Sequence, residues 1–419
     1  MRFHHMFLAA ALAACAPVAS ANFDAIRFDQ ALQRAVASAP TIDARRSQVL
    51  AAGEDAARAS ALPDPKLIGG IDNLTVTGPD AFDLAADDMT MKRIGISQDF
   101  PAPAKRRARQ AVADRMVEQA QALTVAERQA VRRSTAQAWI ALWAAEREAM
   151  ELRALRQQAG VAVDIAKARL RGGAGSAVDA MAVQAEALEQ DNRIAGADAA
   201  VEAARAGLAR WLDVPPDALD ASGDPPDLFV LRNGEPALLA HVDAQAPLAP
   251  WASREAVAEA EVALASAEKK PDWSVAASYG QRSGGRSDML TLEFSIDLPL
   301  FAASRQDHGV AARRADLDAV AASHEDARRA QVEAVRRLLA EWNGLKRQVE
   351  RKEAQMLPLA RDRSATALAA YRGGGDLQPW LQARRDEIEL HIEHARHLGD
   401  LGRAWAALDY LLPAAEATP

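Results

Sequence analysis

Three histidines are the residues of this chain whose type and spacing most directly suggest chemistry. His391, His394 and His397 follow one another at intervals of three residues. On a helix this spacing spreads the side chains over about 120° of one face, so neighbouring imidazoles could share a soft divalent metal ion. The same spacing also fits an ordinary solvated helix face, which is the commoner situation. The sequence therefore leaves both interpretations open.

No group of residues in the sequence forms a pattern typical of an enzyme. The glycine-rich stretch from Gly173 to Ser176 resembles a nucleophile motif, but it lies between two predicted helices and not between a strand and a helix. Walker and dinucleotide-binding motifs are absent from the sequence. A formal net charge of −8 argues against nucleic acid as a partner. We expect a protein that is not an enzyme and needs no cofactor.

The first residues have the features of an export signal. Arg2 precedes a short apolar run that ends near Ala14. Two processing sites compete: Cys15 ends a lipobox-like segment, which would make it a lipidated first residue after a leader of residues 1–14, whereas an Ala-x-Ala site would end a leader of residues 1–21 and discard the cysteine. Both predict an exported chain. No later segment is apolar over the length that a transmembrane helix needs, so the mature chain would be periplasmic or inserted through β-strands.

The elements that position these residues occur twice. A Ser-x-Asp-x-Pro segment starts at Ser97 and again at Ser295, and an Arg-Gly-Gly segment starts at Arg171 and again at Arg372. The offsets are 198 and 201 residues, so the sequence predicts one duplicated unit. The predicted divisions are a first repeat over residues 28–212, a linker over 213–250, a second repeat over 251–412 and a tail over 413–419.

Each repeat contains two candidate strands. In the second repeat, Leu290 to Leu298 alternate apolar and polar residues, and the alternation also marks Trp273 to Tyr279. The first repeat predicts strands over 66–76 and 90–100, with a less regular alternation. A hairpin with one apolar face fits a transmembrane barrel, and it also fits a soluble sandwich with that face in its core.

Long helices follow each strand pair. Residues 104–170 contain no proline and a single glycine, and they predict a rod of about 100 Å; residues 304–371 predict its copy. Val335, Trp342, Val349 and Met356 recur every seven residues, with Val332 and Leu339 between them, which predicts a coiled-coil seam. Glycine turns then reverse the chain into helices over 177–212 and 377–412, and Ser176 or Asp376 could cap the returning helices. A helical domain this elongated must project from the sheet.

This layout resembles the TolC family of outer-membrane efflux proteins over nearly the whole chain, and within it the branch of CzcC- and CusC-type heavy-metal channels. The segments that carry the resemblance are Leu62-Pro63-Asp64-Pro65 with Asp72-Asn73, Ser97 to Pro101 followed by Lys105-Arg106, Lys270 to Ser274 with Arg282, and Ser295 to Phe301 followed by Arg305-Gln306. The residue before Lys105 is usually glycine in that branch but is Ala104 here.

The resemblance implies a mainly helical fold with a small transmembrane β portion. In such a fold three protomers, each giving four strands, close a twelve-stranded β-barrel that continues as a helical barrel across the periplasm. It also implies that the glycine turns form the periplasmic tip, where an adaptor protein docks and the channel narrows. The tip residues are Arg171, Gly172, Gly173, Gly175, Ser176, Arg372, Gly373, Gly374 and Gly375. Asp376 and Asp179 are the candidate residues of the constriction.

The expected function is that of the outer-membrane channel of a tripartite efflux pump. The resemblance implies a homotrimer in outer-membrane lipid that works with a periplasmic adaptor and an inner-membrane RND-type pump, exporting heavy-metal cations. Two alternatives stay open from the sequence. One is a channel for drugs or secreted proteins, and the other is a periplasmic coiled-coil scaffold or adaptor.

Overall fold

The computed structural model describes residues 24–413 except residues 222 and 284. The predicted export signal, the predicted lipidation site at Cys15 and the tail beyond Pro413 lie outside the described residues. The chain is mainly helical with a small sheet, as the sequence predicts. Within the described residues, no helix combines the length and the apolar character that crossing a membrane requires.

The secondary structure follows the predicted order. The helices are α1 (Phe28–Ser38), α2 (Pro40–Ala59), α3 (Pro103–Arg171), α4 (Ala177–Leu212), α5 (Gly234–Ala240), α6 (Trp251–Ala267), α7 (Gln306–Arg351), α8 (Leu357–Arg372) and α9 (Gln378–Asp409). The strands are β1 (Asp24–Ala25), β2 (Lys66–Asp72), β3 (Met91–Phe100), β4 (Leu219–Asp220), β5 (Trp273–Arg282) and β6 (Met289–Ile296). Short 3₁₀ turns span Pro216–Ala218, Val242–Ala244 and Ala302–Ser304.

Four strands form one antiparallel sheet in the order β2-β3-β5-β6, so the two hairpins join through β3 and β5. Residue Ile96 of β3 lies opposite Leu67 on one side and Ala277 on the other. The predicted strand over 66–76 is too long, because β2 ends at Asp72 and the left-handed conformation of Asn73 (φ 57°) turns the chain away. The outer strands β2 and β6 each keep one edge unpaired within the described chain.

One face of this sheet is apolar and exposed. Leu292 is 74% exposed, and Leu67, Ile94, Ile96 and Phe294 are also exposed on the same face. The opposite face carries small and polar side chains such as those of Ser97, Ser274 and Ser295. Because nothing in residues 24–413, as far as the structure describes them, covers the apolar face, the soluble-sandwich interpretation of these strands is not supported.

The helices form two rods that follow the duplication. The 69-residue helix α3 extends for about 100 Å and packs against α2 along one part of its length and α4 along another. In the second repeat α7 packs against α6 and α9, and α8 continues beside α9. Each long rod is therefore flanked by two shorter helices, and α3 also contacts α6 and α9 of the other repeat.

The predicted coiled-coil seam is correct from Val335 to Val349 and wrong at Met356. Val335, Trp342 and Val349 are buried, but Met356 is exposed. A π-helical turn over Lys352–Met356 separates α7 from α8 and inserts one extra residue. Pro358 lies two residues after this turn, and a proline ring clashes with the carbonyl group four residues before it, which gives a physical reason for the widened turn. The buried positions resume one residue later, at Ser364 and Tyr371.

The predicted linker packs against the rods. Its apolar side chains join the main hydrophobic core, and three tryptophans of the rods bind carbonyl groups of the surrounding segments. The indole Nε1 atoms of Trp342 and Trp405 donate to the carbonyl oxygens of Leu228 and Val230, each at 2.9 Å. Trp139 donates in the same way to Ile26 at 2.9 Å. The linker also contains the short helix α5, and the short parallel pair of β1 and β4 is not predicted from the sequence.

Candidate functional site

The two glycine turns at the far end of the rods have the same backbone geometry. Gly173 and Gly374 adopt left-handed conformations, with φ of 70° and 104°. The amide of Ala174 donates to the carbonyl of Arg169 at 3.0 Å, and the amide of Gly375 donates to that of Ala370 at 3.0 Å. Both are Schellman motifs, in which a residue without Cβ strain satisfies the last carbonyl groups of a helix. The duplication thus extends to individual hydrogen bonds, and we call these two turns the tips.

The two tips differ in how the returning helix begins. Ser176 caps α4, because its Oγ accepts a hydrogen bond from the amide of Asp179 at 3.1 Å. The prediction that Asp376 caps its helix is wrong, because α9 begins after Leu377 and has no side-chain cap. The carboxylate of Asp376 is exposed and has no hydrogen-bond partner within the described residues, whereas Asp179 is half-buried.

A single arginine binds the two tips together. The guanidinium group of Arg169 donates to the carbonyl oxygens of Tyr371 and Gly375 in the second tip and to that of Ala174 in the first. It also lies 4.4 Å from the centre of the Tyr371 ring, a cation–π contact. Tyr371 is only 1% exposed, and its burial raises the pKa of its hydroxyl group. Nothing in the sequence marks Arg169 except its place just before the glycine turn.

A small apolar core supports the tips from behind. It contains side chains from α3, α4, α8 and α9, among them Ala162, Val183, Tyr371, Leu377 and Trp380. Because this cluster is separate from the main hydrophobic core, the tip region packs as a local unit. The tip residues Arg171, Arg372 and Gly373 are exposed.

A buried ion pair lies between this small core and the middle of the rods. Arg384 of α9 is 1% exposed and lies 2.9 Å from Glu387 Oε2. It also donates to Gln158 at 2.9 Å and to the carbonyl group of Leu155 on α3. The charge of Arg384 is paired with Glu387, although its Nε has no hydrogen-bond partner among the described residues, and the network links α9 to α3.

The three histidines lie on α9 as predicted, but they contact different groups. His391 Nδ1 lies 2.9 Å from Glu151 Oε2, whereas His394 Nε2 lies 3.3 Å from Glu353 Oε1. The Nδ1 atoms of His394 and His397 are buried and have no hydrogen-bond partner among the described residues. In the part of the chain that the structure describes, no three side chains of His, Cys, Asp or Glu are placed to hold one metal ion. The structure does not bring the three histidines together as a metal site.

Burial favours the neutral form of His394 and His397. It lowers the pKa of His394 to about 4 and also lowers the pKa of His397. Burial alone would raise the pKa of Glu151, but the hydrogen bonds from His391 and Arg147 outweigh it and lower that pKa. His394 is therefore neutral at pH 7 and belongs to the packing of α9 against the rods.

At the other end of the rods, an acidic residue joins the two repeats. Asp272, just before β5, lies 2.8 Å from the ammonium group of Lys105 and accepts a hydrogen bond from the amide of Ala102 at 2.7 Å. Partial burial opposes the charged form, but Lys105 and the Ala102 amide lower the pKa of Asp272 below its usual value. The ammonium group of Lys105 is thus paired within the protein.

Comparisons of sequence identify no relative: no family model matches the chain, and no curated protein matches it. Comparisons of structure give matches along almost the whole chain. The outer-membrane channel OprN has a TM-score of 0.75 at 18% identity, with 91% of this chain and 89% of that chain covered. A membrane protein from Pseudomonas aeruginosa has a TM-score of 0.76 at 16% identity, with 92% and 93% covered.

CusC, whose structure is described in terms of transmembrane channel formation, has a TM-score of 0.72 at 13% identity, with 92% of each chain covered. Identities this low establish shared architecture only. The architecture is nevertheless matched from the sheet through both rods to the tips. This chain therefore has the fold of these outer-membrane channel proteins.

Proposed function

We propose that this protein is a TolC-family outer-membrane channel of a tripartite efflux system. The observation that carries the proposal is the combination of one exposed apolar sheet face with two rods of about 100 Å, in a fold shared with outer-membrane channels over nine-tenths of the chain. An apolar sheet face without a covering core is suited to lipid. Rods of this length are suited to reaching across the periplasm.

Closure of the sheet requires further copies of the chain. In lipid the unpaired edges of β2 and β6 would leave backbone groups without hydrogen bonds, so an open sheet is not stable there. Four strands are too few to enclose a pore. A homotrimer would supply twelve strands, the number implied by the resemblance to the TolC family.

Transport through such a channel would be passive. The chain has no nucleotide-binding motif, so the work would come from a proton-driven inner-membrane pump of the RND type, linked through a periplasmic adaptor. The tips are the proposed docking site for the adaptor, because they are exposed and lie farthest from the sheet along each rod. Opening would be an iris-like sliding of the helix pairs that separates the tips.

Heavy-metal cations are the proposed substrates. The motifs shared with CzcC- and CusC-type channels support this choice, and CusC is among the proteins of matching fold. An exposed Asp376 at the tip, repeated in each protomer, would form an acidic ring that attracts cations. The alternative substrates are drugs or secreted proteins.

A periplasmic scaffold or adaptor is the alternative from another class. The exposed apolar face disfavours it, because a soluble scaffold would carry a large unprotected patch. Detergent-dependent extraction and heat-modifiable migration on gels would identify a membrane-inserted oligomer. A chain that is soluble and monomeric without detergent would contradict the channel.

The deciding experiment is deletion of the gene in its native host, followed by growth on a panel of metals, dyes and antibiotics. We expect sensitivity to divalent or soft monovalent metals, restored by the wild-type gene on a plasmid. Sensitivity to dyes and antibiotics alone would keep the channel and reject the metal assignment. Unchanged growth under every condition would count against an efflux role.

A further inference from the structure

The junction between the two repeats is a template for a contact that the single chain cannot make. β3 of the first repeat pairs with β5 of the second, and beneath this junction Asp272 holds Lys105 and the Ala102 amide, at the start of the helix that follows β3. Because the repeats are alike, the equivalent junction would join β6 of the second repeat to a β2 strand. Within one chain β6 and β2 are the two opposite edges of the sheet.

The register identifies the equivalent residues. Lys66 lies opposite Ser97 in the first hairpin, and Ser274 lies opposite Ser295 in the second. Ser97 and Ser295 are the matching serines of the repeat, so Lys66 matches Ser274. Two residues earlier, Asp64 therefore matches Asp272, and each follows a proline.

The equivalent cation is also present. Arg305 lies just before α7, as Lys105 lies at the start of α3, and it is the only lysine or arginine between Arg286 and Arg313. Among the described residues, neither Asp64 nor Arg305 has a side-chain hydrogen bond or an ion pair, and both are exposed. Each member of the second pair thus lacks the partner that its counterpart has in the first.

We propose that β6 pairs with β2 of a second copy of this chain, and that Asp64 of that copy binds Arg305. The proposal rests on the proposed trimeric channel and specifies its subunit contact. Transferring the register of β3 and β5 places Ser295 opposite Ile68 of the neighbouring copy, since Ser97 lies opposite Ala276. The contact of β6 with β2 between subunits would then have the same geometry as the contact of β3 with β5 inside each subunit.

The register keeps each face of the sheet continuous across the subunit contact. It places Ile296 opposite Leu67, Phe294 opposite Gly69, and Leu292 opposite Ile71. The large side chains of all three pairs belong to the exposed apolar face. A slip by one residue would place the apolar side chains of one strand against the polar face of the other. The apolar band therefore continues without interruption from one copy to the next.

Disulfide cross-linking tests the register. The double variant Ile68→Cys with Ser295→Cys should form covalent trimers on mild oxidation in outer-membrane preparations. The matched control is Ile68→Cys with Thr291→Cys, which lies on the same face but about 13 Å further along β6. Each single-cysteine variant controls for Cys15, the only native cysteine. Cross-linking in the control but not in the predicted pair would overturn the register.

Charge exchange tests the ion pair. Asp64→Arg should lower the temperature at which the oligomer dissociates on gels, Arg305→Asp should do the same, and the double exchange should restore most of the loss. Asp80→Arg, an exposed acidic residue in the loop between β2 and β3, is the control and should leave that temperature unchanged. Absence of rescue, with both single variants weakened, would overturn the pairing of Asp64 with Arg305.

The outcomes separate this proposal from the proposed function. If native mass spectrometry in detergent finds a trimer while the Ile68 and Ser295 cysteines do not cross-link, the subunit contact is wrong and the channel stands. If the wild-type chain is monomeric in detergent and in membranes, the proposed function and the subunit contact both fail.

Discussion

His394 couples the stability of the rods to pH through burial. It is almost fully buried on α9, where Nε2 lies 3.3 Å from Glu353 and Nδ1 has no hydrogen-bond partner in the part of the chain that the structure describes. Its folded-state pKa of about 4 lies below the ordinary value of 6.5. The unfolded chain therefore binds a proton at a pH where the folded chain does not. The part of the unfolding free energy that depends on neutral His394 is therefore fully present above pH 6.5 and is lost as the pH falls towards 4.

We predict that replacing this histidine flattens the pH dependence of unfolding. Wild-type protein should lose up to about 3 kcal/mol of unfolding free energy through His394 between pH 7 and pH 4, because a shift of one pKa unit corresponds to about 1.4 kcal/mol. In His394→Gln this part of the slope should disappear, whatever the absolute stability of the variant. Thermal unfolding followed by circular dichroism at several pH values measures the slope.

The control for this prediction is an exposed histidine. His308→Gln, at the start of α7, should keep the wild-type slope because that side chain is exposed. An equal loss of slope in both variants would show that burial of His394 is not the cause. A slope in His394→Gln as steep as that of the wild type would contradict the prediction directly.

At the scale of single residues, the spacing along the sequence predicts which side chains share one helix. It does not predict contacts between residues that are far apart in the chain. The interval of three places the histidines on one helix correctly. It gives no information about Glu151, which is 240 residues away in sequence and yet binds His391. The contact of Arg169 is unpredictable for the same reason, because its partner Tyr371 is 202 residues away.

At the scale of elements, the tips are held together by few interactions. Arg169 supplies most of the hydrogen bonds between them, and its loss would leave the small apolar core behind the tips intact. Charge-assisted hydrogen bonds contribute about 1.5–3 kcal/mol each. A clamp of this size can close the tips and still be released by a docked partner.

We predict that Arg169→Ala shifts the tips towards an open arrangement. Loss of the clamp should increase the open population about tenfold or more, since 1.4 kcal/mol corresponds to a factor of ten. Single-channel recording in planar bilayers should find a larger mean conductance than for the wild type. Arg171→Ala is the matched control, because the exposed Arg171 makes no side-chain hydrogen bond among the described residues.

Equal conductance of Arg169→Ala and wild type would show that the hydrogen bonds of Arg169 do not hold the tips closed. An equal increase in both arginine variants would attribute the effect to charge at the tips and not to the hydrogen bonds. The clamp is specific only if the two variants differ.

Element boundaries follow closely from the sequence where local chemistry sets them. Proline, glycine and serine place the start of α3, the tips and the cap of α4 within a residue or two. The π-helical turn was missed, because a heptad count continues through Pro358 without any sign that the helix widens there. The parallel pair of β1 and β4 was missed because each strand has only two residues.

At the scale of the whole molecule, the exposed Asp376 becomes a ring only if three copies assemble. Three carboxylates around a narrow opening would raise the local concentration of cations. We predict that Asp376→Asn reduces the preference for cations, so that the reversal potential in a KCl gradient moves towards zero. Planar bilayer recording measures this potential directly.

Asp80→Asn is the control for the ring, because it removes the same charge from the loop between β2 and β3, far from the tips. An unchanged reversal potential in Asp376→Asn would refute the ring while leaving the channel itself in place. A shift of equal size in both variants would indicate a general effect of net charge and not a local constriction.

The architecture was the most predictable property of this molecule, and the reason is its duplication. Two matching sets of strand, rod and turn signals constrain each other, as Ser97 with Ser295 and Arg171 with Arg372 illustrate. The packing of the linker was not predictable. Its prolines and aspartates suggest a loose connection, whereas Trp342 and Trp405 hold it firmly against the rods.

The π-helical turn accounts for part of the difference in length between the two repeats. The offset between the repeats grows from 198 residues at the serines to 201 at the arginines. If Lys105 matches Arg305, two of the additional residues lie in the loop before α7, and the widened turn accommodates the third. An uninterrupted helix would have rotated everything beyond the insertion by about 100°. By widening one turn, the rod brings Tyr371 back beneath Arg169, so an insertion left the alignment of the tips undisturbed.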